Sequence, residues 1–504
     1  MDLRIKKRDL IYTLIATFII GFVAHGFCYF NGLLSHDSLL INAIEDYMHQ
    51  VEIGRFMQPI YISIRGNIVV PPVIGIIQLL FIGLTIYLIF DLLNIKNSLN
   101  RILTIGILVT NCTVALSNAT YICWSDIFAL ANLLSVLSIY VYYKGTQNYR
   151  YVISVVLMIM SLGLYQSAFQ VGVALCMIIA IRRLLINDDY KEVIKEGTKA
   201  ICFLIASLLL YFVINKLVLV LVDATDSDLY NSVGNASKIL SIKAWINGFR
   251  ESLWMEFLWF TGRATINSKL FFVVNIVLFV VAFIYILKII RNNKLSKHNI
   301  GLIFLLVILA PIGFNIIGIL SFGAVHYLMI YSFFLAYVII IMLIEVLNTP
   351  ELSKIKVLVY IMMTSLLFSN VVYANTVYMK KYMENDATLA LTNRIIYQIE
   401  SIDGYIPGET EVIFVGDLKN NEILNKARPF FNKFLATGLD ESYGLTYYLV
   451  IENYIVDYLG YPMNIPDKDY ADKIAEKEKI KNMPIYPNKG SIEMIDGVVV
   501  VKLG

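Results

Sequence analysis

Apolar residues in this chain come in long unbroken runs. They lie near 10–30, 72–93, 101–118, 124–143, 150–165, 167–182, 199–222, 268–290, 299–320, 327–347 and 356–374, with almost no charge inside them. Close to twenty apolar residues wound as helix cross about 30 Å of hydrocarbon, so the pattern predicts about eleven spans. The stretch 150–182 is long enough for one steep helix. However, "GLYQSAFQ" puts Gly163, Gln166 and Gln170 in its middle, and polar amides there favour two helices turning at the membrane surface. The first run is too long for a cleaved signal peptide and lacks a small-residue cleavage site, so it is read as a retained helix.

Other stretches have different periods. After Asp37, apolar residues fall at Leu39, Leu40, Ala43, Ile44, Tyr47 and Met48, with Asn42, Glu45, Asp46 and His49 between, which predicts a helix lying in the interface. "GRFMQPIYISIRGN" predicts a second short amphipathic piece before Pro71 and Pro72 open the next span. "WINGFRESLWMEFLWFTGR", with Trp245, Trp254, Trp259, Phe257 and Phe260, predicts another interfacial helix with an aromatic belt. From about residue 375 the rhythm changes to an amphipathic continuation of the last span. "EVIFVGDL" then reads as a strand, "DKDYADKIAEKEKIKNM" as a charged helix and "SIEMIDGVVVVKL" as a hairpin around Asp-Gly.

Composition agrees with the pattern. With 504 residues, 58% hydrophobic and 16% charged, a water-soluble globule is excluded. Lys and Arg crowd the loops on the N-terminal side, while the opposite loops hold roughly a third as many, so the N-terminus is expected to be cytoplasmic. Eleven crossings then put the C-terminal domain outside. The expected architecture is a polytopic α-helical membrane protein over 1–374 and a small extracytoplasmic α/β domain over 375–504. The five cysteines lie in or beside apolar runs without metal-site spacing and read as small buried hydrophobes. A net charge of +3 says nothing about partners, and nothing points to nucleic acid.

Under this topology several polar constellations face one side: His36, Asp37 and Arg55 after the first span, Asp126 at the mouth of the fourth, Tyr165 and Gln166 at the 150–182 turn, and His326 in "SFGAVHYLMIY". Each has a plain alternative. Asp37 is also a good helix N-cap, Asp126 an interfacial acid reaching water, Tyr165 and Gln166 an anchored turn, and His326 a structural hydrogen-bonder. Lys216, near the outer end of its span, either snorkels or meets a lipid phosphate. A transporter would be expected to place its polar groups near the midplane; here they sit at the rim. No Gly-rich phosphate cradle occurs.

"SHDSLL…GRFMQP", "WSDIFAL", "LGLYQSAFQVGVAL" and "MPIYPNKGSIEMIDGVVVVKL" together resemble the GT-C membrane glycosyltransferases, and more narrowly the bacterial glucosyltransferase II family associated with O-antigen glucosylation. The resemblance implies an inverting transfer of a hexose, with glucose foremost, from a polyprenyl-phosphate donor such as undecaprenyl-phosphate-glucose. The acceptor would be a surface polysaccharide, lipid-linked glycan or teichoic acid outside the bacterial cytoplasmic membrane. It implies that Asp37 is the catalytic acid–base position and Arg55 the family's Gly-Arg. His36 departs from a second acidic residue expected there, and His326 lies where a basic residue near the donor phosphate is expected. Asp37 is then the base, Arg55, His326 and Lys216 the phosphate contacts, and Asp126 and Gln166 the sugar contacts. No cofactor is assigned, and a divalent cation at His36, Asp37 and Asp126 stays open. The rivals are a lipid or polysaccharide transporter and a non-catalytic glycan-assembly protein.

Overall fold

The computed structural model describes residues 7–35, 38, 39, 48–66, 69–225, 241–263, 269–347, 349–416, 418, 421–426 and 448–504. His36, Asp37 and most of the interfacial helix expected after them (Glu45 and Asp46 included) lie outside the described residues. The chain is a polytopic helical membrane protein. Among the described residues nine helices are long and apolar enough to cross a bilayer, and the apolar helices Arg150–Leu164 and Tyr331–Val346 are shorter. Every one of the eleven apolar runs in the sequence coincides with one of these helices, and 150–182 folds as two, broken at Tyr165–Ser167.

The first helix, Lys7–Phe30, explains how the bundle closes. Thr13, Thr17, Gly21, Ala24 and Cys28 fall on one buried face, while Ile15, Ile19 and Val23 are more than half exposed to the surroundings. Small residues let backbones approach, which is the main attraction available between helices in lipid. A Cβ on Gly21 would stand 2.4 Å from the Leu79 side chain, and one on Gly75 of the next span 2.6 Å from the Tyr29 ring. The helix Ser98–Thr110 ends at Asn111, whose side chain accepts from Val114 N–H and so starts Cys112–Thr120 as a new helix. This broken pair is almost wholly buried and forms the centre of the bundle.

Ion pairs define one end of the bundle. Asp9 meets Arg101 at 3.2 Å, Lys144 meets Asp91 at 3.3 Å, and Lys288 meets Glu351 at 3.5 Å. At the same end Glu345 accepts from Asn97 N–H at 2.8 Å and from Asn100 Nδ2 at 2.9 Å.

The last apolar run continues without a break as Ser353–Glu400. Forty-eight residues at 1.5 Å each span about 72 Å, more than twice the hydrocarbon thickness. The boundary drawn at 374/375 falls inside this helix. Its far part, through Leu391, Ile395 and Ile399, packs on a three-stranded sheet, with Val412, Phe414, Val499 and Val501 in the same core. The sheet order is β1 (Val412–Val415), β3 (Val498–Lys502), β2 (Ile492–Ile495). β1 runs parallel to β3, and β2–β3 is the expected hairpin, with Asp496 and Gly497 both at positive φ. The charged stretch forms two short helices, Lys468–Ala475 and Glu478–Lys481, instead of one. Leu39 from the first loop also enters this core, and Asn453 Nδ2 donates to its carbonyl at 3.2 Å.

Four cysteines are buried as expected, and Cys202 is exposed on its helix. The aromatic helix forms over Ile242–Phe260. Trp254 and Phe257 are exposed and stacked, as a belt requires. Trp259 departs from that expectation: it is buried edge-on against Phe271 and Phe334, because the helix turns that face to the bundle.

Candidate functional site

The other end of the bundle gathers polar groups around one short helix, Met57–Arg65, which carries a cation just before its start and another in its last turn. The leading cation is Arg55. The helix Met48–Glu52 ends in a tight turn in which Gly54 N–H donates to Val51 C=O at 2.9 Å and Arg55 N–H to Gln50 C=O at 2.8 Å. Gly54 sits at φ +84°, where a side chain is strained, and a Cβ would also lie 2.4 Å from Tyr211 Oη. Two side chains from separate spans hold the turn. Gln166 Nε2 donates to Ile53 C=O at 2.8 Å and to Tyr211 Oη at 3.0 Å, and Tyr211 Oη donates to Gly54 C=O at 2.9 Å.

Held in this way, the Arg55 guanidinium stands 5.3 Å from the Tyr165 ring centroid and donates through Nη1 to Gln50 Oε1 at 3.2 Å. Its Nε is buried without a hydrogen-bond partner, and no carboxylate pairs with Arg55 among the described residues. A half-buried guanidinium with a buried, unused donor is an incomplete anion site.

The trailing cation is Arg65. Its Nη1 donates to Asp126 Oδ1 at 2.8 Å and to Cys123 C=O at 2.9 Å. Asp126 Oδ1 also accepts Ile127 N–H at 3.0 Å, and Oδ2 accepts the Tyr61 hydroxyl at 2.8 Å. Burial and the adjoining carboxylate hold the Tyr61 phenol well above its usual range, so it stays a donor. Asp126 is therefore fully buried and ion-paired, not an acid reaching water. Phe128, two residues along, stands with its ring centroid 4.4 Å from that of Tyr165, so the helix that carries Asp126 also borders the ring beside Arg55.

The remaining expected residues separate. Lys216 is exposed on the lipid-facing side of Tyr190–Leu221, while Tyr211 and Asn215 on its other face turn inward. His326 Nδ1 accepts Leu328 N–H at 3.2 Å, capping the turn Tyr327–Met329, and its ring stands edge-on to Tyr121 at 6.1 Å. Gln166 and Tyr165 brace the Arg55 turn. Arg65, Tyr61 and Tyr211 belong to the site although sequence reasoning did not single them out. The signal for Arg65 was its place at the end of a short amphipathic helix, facing an intramembrane acid. For Tyr211, inside an apolar run, no signal existed.

Beside the undescribed His36 and Asp37, Ser35 is fully buried; its Oγ donates to Thr120 C=O, and Ser38 Oγ donates to Ser35 C=O at 2.9 Å. The Thr120 carbonyl ends the helix just before the one that carries Asp126. Among the described residues no group of three or more His, Cys, Asp or Glu is arranged to hold a metal ion.

A family model described as glucosyl transferase GtrII matches residues 26–337, which takes in both cation sites and more than half of the chain. No curated protein and no solved structure matches.

Proposed function

From the premise that the chain belongs to the glucosyl transferase GtrII family, and is thus a multi-pass membrane glycosyltransferase, we propose the following reaction. A hexose, with glucose first among the candidates, passes from a polyprenyl-phosphate donor to a surface glycan on the outer face of the bacterial cytoplasmic membrane. The observation that carries this reading is Arg55: a half-buried guanidinium over the Tyr165 ring, left with a buried, unused Nε donor, on a turn that Gln166 and Tyr211 hold.

Asp37 is assigned the proton of the acceptor hydroxyl. As that proton leaves, the hydroxyl oxygen attacks the anomeric carbon, and the bond from that carbon to the phosphate oxygen breaks. The electron pair goes to the lipid phosphate, whose growing charge meets the Arg55 donors in a low-dielectric site. Attack from the side opposite the phosphate inverts the anomeric centre. Asp126 has both oxygens occupied, so its role is to fix Met57–Arg65, and with it Arg55, in place of the sugar contact first expected. The bilayer holds the polyprenyl chain, and the outer domain, reached by Leu39, is suited to present the acceptor near the first loop.

The test is transfer by purified protein in detergent, given radiolabelled undecaprenyl-phosphate-hexoses one at a time with an acceptor glycan. Consumption of one donor, lost in Asp37→Asn while folding is retained, supports the assignment. Full transfer by Asp37→Asn removes the proposed base. Consumption of none of the donors, with movement of lipid across vesicles, favours a transporter.

A further inference from the structure

Two serines clasp each other where the chain leaves the first span. Ser35 is fully buried and Ser38 is 5% exposed. Ser35 N–H donates to Ser38 Oγ at 2.9 Å, and Ser38 N–H donates to Ser35 Oγ at 3.3 Å. Ser38 Oγ donates in turn to Ser35 C=O at 2.9 Å, and Leu39 N–H donates to the same carbonyl at 3.1 Å. This is a reciprocal capping box, with Ser35 at the N-cap, Ser38 three residues on and the first helical hydrogen bond made by Leu39. The sequence offered the N-cap place to Asp37, and Ser35 takes it instead. Capping is thus done by the serines on either side of His36 and Asp37, and the acid is not needed for it.

The clasp is also moored to the rest of the molecule. A serine has one hydroxyl proton to give. Ser38 gives its own to Ser35 C=O, while Ser35 directs its own to Thr120 C=O, at the last residue of the helix Cys112–Thr120. Three residues later, Cys123 C=O accepts Arg65 Nη1 at 2.9 Å. The short stretch 120–123 therefore holds both the clasp and the helix Met57–Arg65. On its other side Leu39 enters the core of the outer domain with Leu391 and Ile395, and its carbonyl accepts Asn453 Nδ2 at 3.2 Å. An ordinary helix cap needs only the bonds within the box. The buried bond from Ser35 to a separate helix is additional to them.

We propose that Ser35 and Ser38 are positioning residues for glycosyl transfer: their clasp, moored on Thr120, fixes where the acid of the same segment meets the acceptor hydroxyl. This rests on the reading of Asp37 as the base. A general base works only within hydrogen-bond reach of the proton it takes, and a misplacement of about 1 Å can cost about 10²-fold in rate. Mooring on 120–123 keeps the clasp in register with the helix that Arg55 leads.

The test is steady-state transfer and thermal unfolding of the full-length protein in detergent, with the undecaprenyl-phosphate-hexose that the parent consumes. Ser35→Ala and Ser38→Ala should each lower kcat by about 10–10²-fold. Donor KM should stay near the parent value, because Arg55 is untouched. Ser38→Thr keeps the hydroxyl and should restore most of kcat. If Ser35→Ala does not fold, the two Ser38 variants decide. A lower Tm with parent kcat, the mark of a cap and nothing more, overturns the proposal. So does a loss carried by donor KM with kcat intact, or an equal loss of kcat in Ser38→Thr. Failure here is distinct from failure of the base. Full transfer by Asp37→Asn removes Asp37 itself, whereas parent kcat in the serine variants beside an inactive Asp37→Asn removes only the role of the clasp.

Discussion

The two ends of the helix bundle treat charge in opposite ways. At one end, Lys144 and Asp91 are 44% and 48% exposed, and Lys288 meets a Glu351 that is 77% exposed. At the other, Arg65 and Asp126 are 5% and 0% exposed, and Arg55 has no acid beside it among the described residues. Exposed pairs keep their water and contribute little either way. Buried charges keep neither water nor indifference, since each costs several kcal/mol to desolvate and holds its place only through good geometry. The first end also holds a buried, unpartnered Arg182 Nε, so what sets the second end apart is a fully desolvated ion pair beside Arg55, and the chemistry is placed there.

The comparison is broken most severely at the buried pair. Arg65→Met leaves the Asp126 carboxylate buried with only Tyr61 and a backbone N–H, and should cost about 3–5 kcal/mol of stability. The readout is the Tm, or the yield of monodisperse protein. The double variant Arg65→Met/Asp126→Leu should regain most of that loss, because no charge is left stranded. If the double variant is stable and still transfers at the parent rate, Asp126 and Arg65 do not position Arg55.

Next in size is Arg55→Met. It removes the unused cationic donor beside Tyr165, and loss of a single donor to developing charge lowers kcat by about 10²–10³. The Tm should hold or rise, because a partly desolvated charge goes with it. Arg55→Lys should recover little, since an ammonium lacks the Nε donor and the planar fork that Arg55 holds over the Tyr165 ring. A wild-type kcat in Arg55→Met would show that the absence of a counter-ion at this end has no catalytic meaning.

Gly54→Ala is a smaller break, through the backbone. The positive φ and the approach to Tyr211 Oη together should cost about 1–3 kcal/mol. Because Gln166 and Tyr211 hold the same turn, Gln166→Ala should shift transfer in the same direction with less loss of stability. Donor KM and kcat measured for both would separate poor binding from a misplaced charge.

How much of this was legible in the sequence follows from what each feature depends on. The spans are set by local apolar content, so all eleven runs returned as helices, and the Asp-Gly hairpin returned because its turn chemistry is local. Lys144 and Lys288, among the cations that crowd one set of loops, meet carboxylates at one end of the bundle. The partners at the site were not legible. Arg65 and Asp126 are 61 residues apart and Gln166 and Tyr211 are 45 apart, and only the packing of separate helices decides which side chains meet. Lys216 shows the same limit from the other side. It shares a helix with Tyr211, five residues away, and that offset turns it to the lipid. Trp259 follows the same logic, since a place two residues after the exposed Phe257 turns its ring to the bundle.

The mildest perturbation belongs to the opposite end. Lys144→Ala removes a cation whose partner Asp91, at 3.3 Å, stays hydrated when left alone. The expected change is about 0–1 kcal/mol, within the range of exposed pairs, and should shrink further in high salt as screening rises. Transfer should be unchanged, because among the described residues no polar contact leads from Lys144 to Met57–Arg65. Measured beside Arg65→Met in the same detergent and salt, it gives the ratio that the comparison rests on. If the two variants cost the same, burial at the Arg65–Asp126 end is not what distinguishes it, and the functional site must be sought on other grounds.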